Sequence, residues 1–233
     1  MQDFTRFFSD KNYILLKNYL FNYLNRKRLI KAYTQCKTPA LDIGSGISPV
    51  TPYKKKTIYL DISPEAIKHL KKQGYEAHIG SVTDIKLPDN SVNTLYCSEV
   101  LEHVEDYQQA LKEFFRILKP GAPLYITVPC WMHLWNNDDE FVGHYRRFDP
   151  HKLQAELSTI GFKHQKKKAI GSFFERKLTI FLVKHFKEAG KINPLFIPPY
   201  IIANYLLSWF MTFSSFFSPE KSTSIFLFIA RKP

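Results

Sequence analysis

Short apolar runs alternate with helical stretches from Ala40 onward, and the first run ends in Leu41-Asp42-Ile43-Gly44-Ser45-Gly46-Ile47-Ser48-Pro49. A strand that runs straight into a glycine pair and then a helix is the start of a βαβ unit. The glycines permit a tight turn and a close approach of ligand to backbone, and the amides of the following helix face the same cleft. Repetition of the unit predicts a mostly parallel sheet. Strands are expected at 40–43, 57–60, 76–79, 92–97 and 124–128, with helices at 64–73, 107–118 and 150–160 between them. Asp149-Pro150 reads as an N-cap followed by proline at the first helical position, and Gly161 as the stop. Residues 162–170 and 224–230 read as two further strands.

The chain has 233 residues, and 45% of them are hydrophobic. That content can bury a sizeable core and excludes a disordered or collagen-like chain. Cys36, Cys97 and Cys130 are far apart, which disfavours a disulfide framework and a zinc knuckle, and no metal is expected. The N-terminus shows no apolar run followed by a small-residue cleavage site, so a cytoplasmic location is expected, with membrane association left open.

A net charge of +12 invites a nucleic-acid reading until its distribution is examined. Residues 1–39 hold eight basic and two acidic groups, residues 40–150 hold twelve and fifteen, and residues 151–233 hold thirteen and four. The excess therefore lies in the flanks; the acidic middle suggests small polar ligands there, while a nucleic-acid enzyme with its basic groove on the flanks stays as the rival that composition does not separate.

The glycine loop lacks the third glycine of a dinucleotide fingerprint, since Pro49 stands there. About 20 residues on, however, Asp61 ends the second strand, where a carboxylate can accept ribose hydroxyls. Asp42 is awkward beside a pyrophosphate and reasonable beside a cationic ligand. Farther along come Gly80-Ser81-Val82-Thr83-Asp84 leading to Asn93, then Cys97-Ser98-Glu99-Val100-Leu101-Glu102-His103-Val104, and then Phe115-Arg116-Ile117-Leu118-Lys119-Pro120-Gly121.

In this order and spacing the motifs resemble the class I S-adenosylmethionine-dependent methyltransferases, in particular the methyltransferase type 11 group that includes quinone-biosynthesis enzymes. The resemblance runs from about Ala40 to Gly161 and resumes at the final strand. It implies a Rossmann-like seven-stranded mostly parallel sheet with an antiparallel last strand, and S-adenosyl-L-methionine as cofactor. It places Asp42, Gly44, Ser45 and Gly46 at the methionine end, Asp61 on the ribose and Ile62 against the adenine. Ser98 and Glu99 belong to the stretch after the fourth strand. Ser81 stands where the family usually has an aspartate for the adenine amino group, so the resemblance implies a contact that is either weaker or rerouted through the Val82 backbone or Asp84. Asn93 also replaces a usual aspartate.

Methyl transfer needs alignment of donor and acceptor, and a base only where the acceptor must lose a proton. His144 and His103 are the candidates for that base. Tyr145, Arg146, Arg147 and Trp131, in the segment after the fifth strand, are the candidate acceptor contacts, because arginine's planar fork suits an anionic group. The alternative for either arginine is an ion pair with the nearby acids Asp138, Asp139 and Glu140, which would pin the loop.

The domain is bounded as an N-terminal helical segment over 1–39 and a methyltransferase domain over 40–233, the latter including an apolar helical insertion over 171–220. Apolar residues from Phe4 to Leu24 recur at helical spacing and end in Arg26, Lys27, Arg28 and Lys31. Between Ile192 and Pro219 there is no charged residue. If the strands at 162–170 and 224–230 share a sheet, both ends of the insertion lie on one side, which argues against a membrane span. Asn204, Ser208, Thr212 and Ser215 recur at about four residues beside a broad apolar face. That face could cap the pocket, lie on a membrane surface or form a homodimer. The acceptor is expected to be small or lipid-linked, with a soluble quinone-precursor-like compound and a non-catalytic cofactor-binding module as alternatives. Ile197-Pro198-Pro199-Tyr200 looks like an amino-methyltransferase motif, but isoleucine cannot accept the amine's hydrogen bond. It reads as the turn that opens the apolar helix.

Overall fold

The computed structural model describes residues 18–35, 37–52, 54–186 and 197–233, with the side chains of 182–186 excepted. Strands β1 (Ala40–Ile43), β2 (Thr57–Asp61), β3 (Glu76–Ile79), β4 (Thr94–Ser98), β5 (Pro123–Pro129), β6 (Lys163–Ala169) and β7 (Ile225–Arg231) form one sheet. Its order is β3-β2-β1-β4-β5-β7-β6. The first five run parallel, and β7 is antiparallel to both β5 and β6. The order reverses between β1 and β4, so the loops after these two strands open one crevice, where open α/β sheets bind ligands.

Helix α1 (Phe21–Tyr33) precedes the sheet. Helices α2 (Pro64–Lys72), α3 (Tyr107–Ile117), α4 (Asn137–Val142), α5 (Pro150–Ile160), α6 (Phe173–Phe186) and α7 (Ile197–Ser215) follow in chain order. Their starts are set by capping: Ser63 Oγ accepts from Ala66 N, Asp106 from Gln109 N, and Asp149 from both His151 N and Lys152 N. Gly161 ends α5 at φ +119°, a conformation that costs glycine least.

Side chains of the central strands alternate between two cores with the strand period of two. Leu95, Cys97, Leu124, Ile126, Phe226 and Phe228 pack with Leu111, Phe114 and Leu157 of α3 and α5. Tyr96, Tyr125 and Leu227 point to the other face, against Tyr23, Leu29 and Ile30 of α1. The Tyr96 and Tyr125 rings stack there at 5.2 Å.

The fourth strand begins at Thr94 rather than Val92, because the Val92 amide bonds to the Ile117 carbonyl at the end of α3. Asn93 donates from its side chain to the Thr38 carbonyl, and its amide to that of Pro39, tying β4 to the entry of β1. An aspartate could not make the first of these bonds, which gives the substitution a structural reason. The segments read as the sixth and seventh strands do share one sheet, so both ends of the insertion lie on one side. No described helix is long and apolar enough to cross a membrane.

Candidate cofactor and acceptor site

Three strand ends build the crevice. After β1, Gly44 and Gly46 hold φ of +66° and +53°. A Cβ on Gly44 would lie 2.3 Å from Val100 in the loop after β4, so the two loops close on each other only over a glycine. Asp61 at the end of β2 accepts from Gly46 N at 2.8 Å through one oxygen and from Ser63 N at 2.9 Å through the other. It thereby fixes the glycine loop to the start of α2, and a carboxylate with about four lone-pair sites retains acceptor capacity beyond these two bonds.

Asp42 is buried, and one of its oxygens has no hydrogen-bond partner. Burial pushes its carboxyl up to about 7, with the nearby Asp61 charge adding to the effect and the Thr51 amide opposing it. Glu99 follows β4 at φ +54°. One of its oxygens lies 3.3 Å from Arg26 of α1, and the other is buried without a partner. Ser45 Oγ is likewise unpartnered. These unsatisfied acceptors beside a glycine loop fit a group that brings cationic and hydroxyl donors, and they would hold its methionine end. Ile62 is exposed beside Asp61 and offers an apolar surface. Ser81 is bonded to Thr83 through Oγ, and Asp84 pairs with Lys86.

Opposite these lies a second cluster. The turn Leu101–His103 after β4 buries Glu102 completely, with both carboxyl oxygens unpartnered. Burial, then the Glu99 charge, raises that carboxyl well above its ordinary range. His144 Nε2 lies 3.8 Å from Glu102 Oε1, and its ring meets His103 edge-on with centroids 4.6 Å apart. Glu102, His103 and His144 each bring one ligand-type atom within 4.8 Å of the others. On the far side of the ring, His144 Nδ1 is 2.7 Å from Asp139 Oδ1.

Asp139 is held in turn by the capping box of α4, where it accepts from Asn136 N, and by Arg147 Nε at 2.8 and 3.0 Å. Burial pushes Asp139 up, but the hydrogen bonds from His144 and Arg147 outweigh it and hold the carboxyl below its ordinary value. The structure therefore brings the two expected histidines together. Of the two expectations for Arg147, the structure shows the ion pair: the side chain turns inward, is buried on Asp139 and pins the segment. Arg146 lies over the Tyr107 ring at 4.8 Å and donates to the Glu105 carbonyl. Tyr145 is exposed, and its amide donates to the Glu102 carbonyl. The Trp131 indole is tied to the Glu220 carbonyl. Sequence reasoning missed Arg26 and Glu102 as site residues, and named Asp139 only among the acids that could pair with an arginine. The Asn136-x-x-Asp139 capping spacing singles it out among those acids.

A Rossmann-like sheet with two glycines after β1, an acid after β2 and acidic groups after β4 defines a class I S-adenosylmethionine-dependent methyltransferase fold. The comparisons agree with that fold: residues 41–126 match the family described as "Methyltransferase domain". A Mycolicibacterium smegmatis protein named "Probable S-adenosylmethionine-dependent methyltransferase" is 27% identical over 52% of this chain and 48% of its own length. Demethylmenaquinone methyltransferase from Chlorobaculum parvum is 34% identical over 38% of this chain and 40% of its own. The chain thus spans less than half the length of these curated relatives. A SAM-dependent methyltransferase from Thermotoga maritima shares the fold across 99% of this chain and 98% of its own, with a TM-score of 0.68 and 19% identity.

Proposed function

We propose that this chain transfers a methyl group from S-adenosylmethionine to a nucleophilic acceptor, small or lipid-like, seated beside His144. The observation that carries the reading is the Asp139–His144 pair, facing Glu102 and His103 in the loop that Glu99 opens after β4. Bound in the crevice, the cofactor supplies an electrophilic methyl group on a sulfonium centre. Asp42, Gly44, Gly46 and Asp61 would hold it, and Ile62 and Val82 would offer apolar surface to its base.

Ionised Asp139 accepts a hydrogen bond from Nδ1–H of His144, which leaves Nε2, on the side of Glu102 and His103, as the atom that takes the acceptor's proton. The same carboxylate stabilises the imidazolium that forms when His144 takes that proton. Arg146, over Tyr107 at the surface, suits an anionic group on the acceptor.

The test incubates the protein with methyl-labelled S-adenosylmethionine, a total lipid extract and a panel of soluble hydroxy acids and amines. Label in the lipid phase, lost in His144→Asn, is the expected result. Label only in soluble products would favour a second reading, a soluble quinone-precursor-like acceptor, which the likeness to a demethylmenaquinone methyltransferase supports. No label in either phase from a protein that binds cofactor would overturn the activity.

A further inference from the structure

Helix α7 is amphipathic in the opposite sense from a packed helix. Its polar stripe faces inward: Asn204 accepts from Phe21 N, and Ser208 and Thr212 receive the Arg28 guanidinium at 2.9 and 2.6 Å. Thr212 also donates to Asn25 of α1, and Ser208 is wholly buried. The apolar stripe faces out. Ile202, Leu206, Trp209, Phe213, Phe216 and Phe217 are 62, 68, 62, 64, 65 and 73% exposed, at helical spacing along one side. From α6, Phe174 joins this face, its ring 5.8 Å from Phe210. Soluble monomers rarely leave so continuous an apolar surface in water.

Among the described residues, the charged groups placed against the face are cationic. The Arg28 guanidinium lies 3.9 Å above the Trp209 ring, and exposed Lys177 lies over Phe173 beside Phe174. Lys31 is exposed farther along α1. Glu175, next to Phe174 in sequence, is buried and bonded to Asn25, α7 contains no acid, and Glu220, five residues beyond α7, is paired with Lys167. A second copy seated on this face would set the two cationic rims against each other. Anionic headgroups around an apolar stripe complement it, since such helices lie in the plane of the headgroup region.

We propose that the outer face of α7, with the adjoining face of α6, docks the protein on an anionic lipid bilayer. The polar stripe then serves to anchor α7 to α1, whose Arg26 reaches Glu99 at the crevice, so the docked face is linked through one helix to the site. Docking stands on this surface and does not depend on which acceptor is methylated.

The test is sedimentation of the full-length chain with vesicles of phosphatidylcholine containing 30% phosphatidylserine, beside pure phosphatidylcholine vesicles. Preference for the anionic vesicles is expected, weakening as salt is raised, with a loss of about tenfold or more in the double variant Trp209→Gln, Phe213→Gln. S-adenosylhomocysteine binding, unchanged in that variant, confirms that it is folded and separates this result from any failure of the proposed activity. Equal, negligible sedimentation with both vesicles at low salt would overturn the proposal. So would a wild-type dimer in analytical ultracentrifugation that the double variant breaks, because the face would then belong to a second copy.

Discussion

Asp139 Oδ1 lies 2.7 Å from His144 Nδ1 while both Asp139 oxygens receive Arg147 Nε, so one buried carboxylate sets the orientation of the ring and carries the charge that balances it. His144→Asn removes the proton acceptor without removing the bulk. We expect unchanged S-adenosylhomocysteine affinity by calorimetry and a fall in kcat of about 10²–10⁴. Asp139→Ala would also leave Arg147 buried and unpaired, at a cost of about 3–5 kcal/mol in urea unfolding. Equal turnover by wild type and His144→Asn would remove the histidine from the chemistry.

The glycine loop permits a sharper separation of fold from binding. Gly44→Ala meets Val100 at 2.3 Å with φ at +66°, so the loop must shift. A destabilisation of about 1–3 kcal/mol and at least a tenfold loss of S-adenosylhomocysteine affinity are expected. Asp61→Asn keeps the shape but weakens acceptance from Gly46 and Ser63, and its loss should fall mainly on affinity. A calorimetric titration of Gly44→Ala that matched wild type would show that the two loops do not close as described.

Much of this was legible in the residues because it follows local rules. The first and third strands and the α5 helix lie where alternation and the Asp149-Pro150 to Gly161 signals place them. Asp42, Gly44, Gly46 and Asp61 stand at strand ends, which any parallel sheet brings to one edge. What was not legible depends on packing between distant segments. Arg26 meets Glu99, and Arg28 meets Ser208 across 180 positions, so nothing local reveals either contact. The four-residue recurrence of Asn204, Ser208 and Thr212 identified a stripe but not which side of it faces the protein. That side is decided by donors on α1.

Two buried carboxyls make stability depend on pH in a direction opposite to ordinary surface acids. Burial raises Asp42 to about 7 and Glu175 to about 8. Each keeps its proton in the folded state above the pH, about 4, at which it loses it in the unfolded chain. Their contribution is therefore complete below about pH 4 and is lost as pH rises to the folded values. Each removes about 1.4 kcal/mol per pH unit over that window. Thermal melts between pH 5 and 8 should show a falling transition temperature that flattens in Asp42→Asn. A variant whose slope equals that of wild type would show that Asp42 is ionised at neutral pH.

Helix α7 offers the last test, because its two faces make opposite predictions. In an ordinary amphipathic helix, replacing a tryptophan by a polar residue is costly and replacing a serine by leucine is mild. Here Ser208 is wholly buried and accepts from Arg28, whereas Trp209 next to it is mostly exposed. Ser208→Leu adds volume to a filled contact and strands a guanidinium donor, so a loss of about 2–4 kcal/mol is expected. Trp209→Gln forfeits a stacking contact with Arg28 of about 0.5–1 kcal/mol and little else in water. The order of the two urea midpoints is the readout. If Trp209→Gln were the more damaging substitution in the absence of lipid, α7 would be packed through its apolar side, and the outward face described above would not exist in solution.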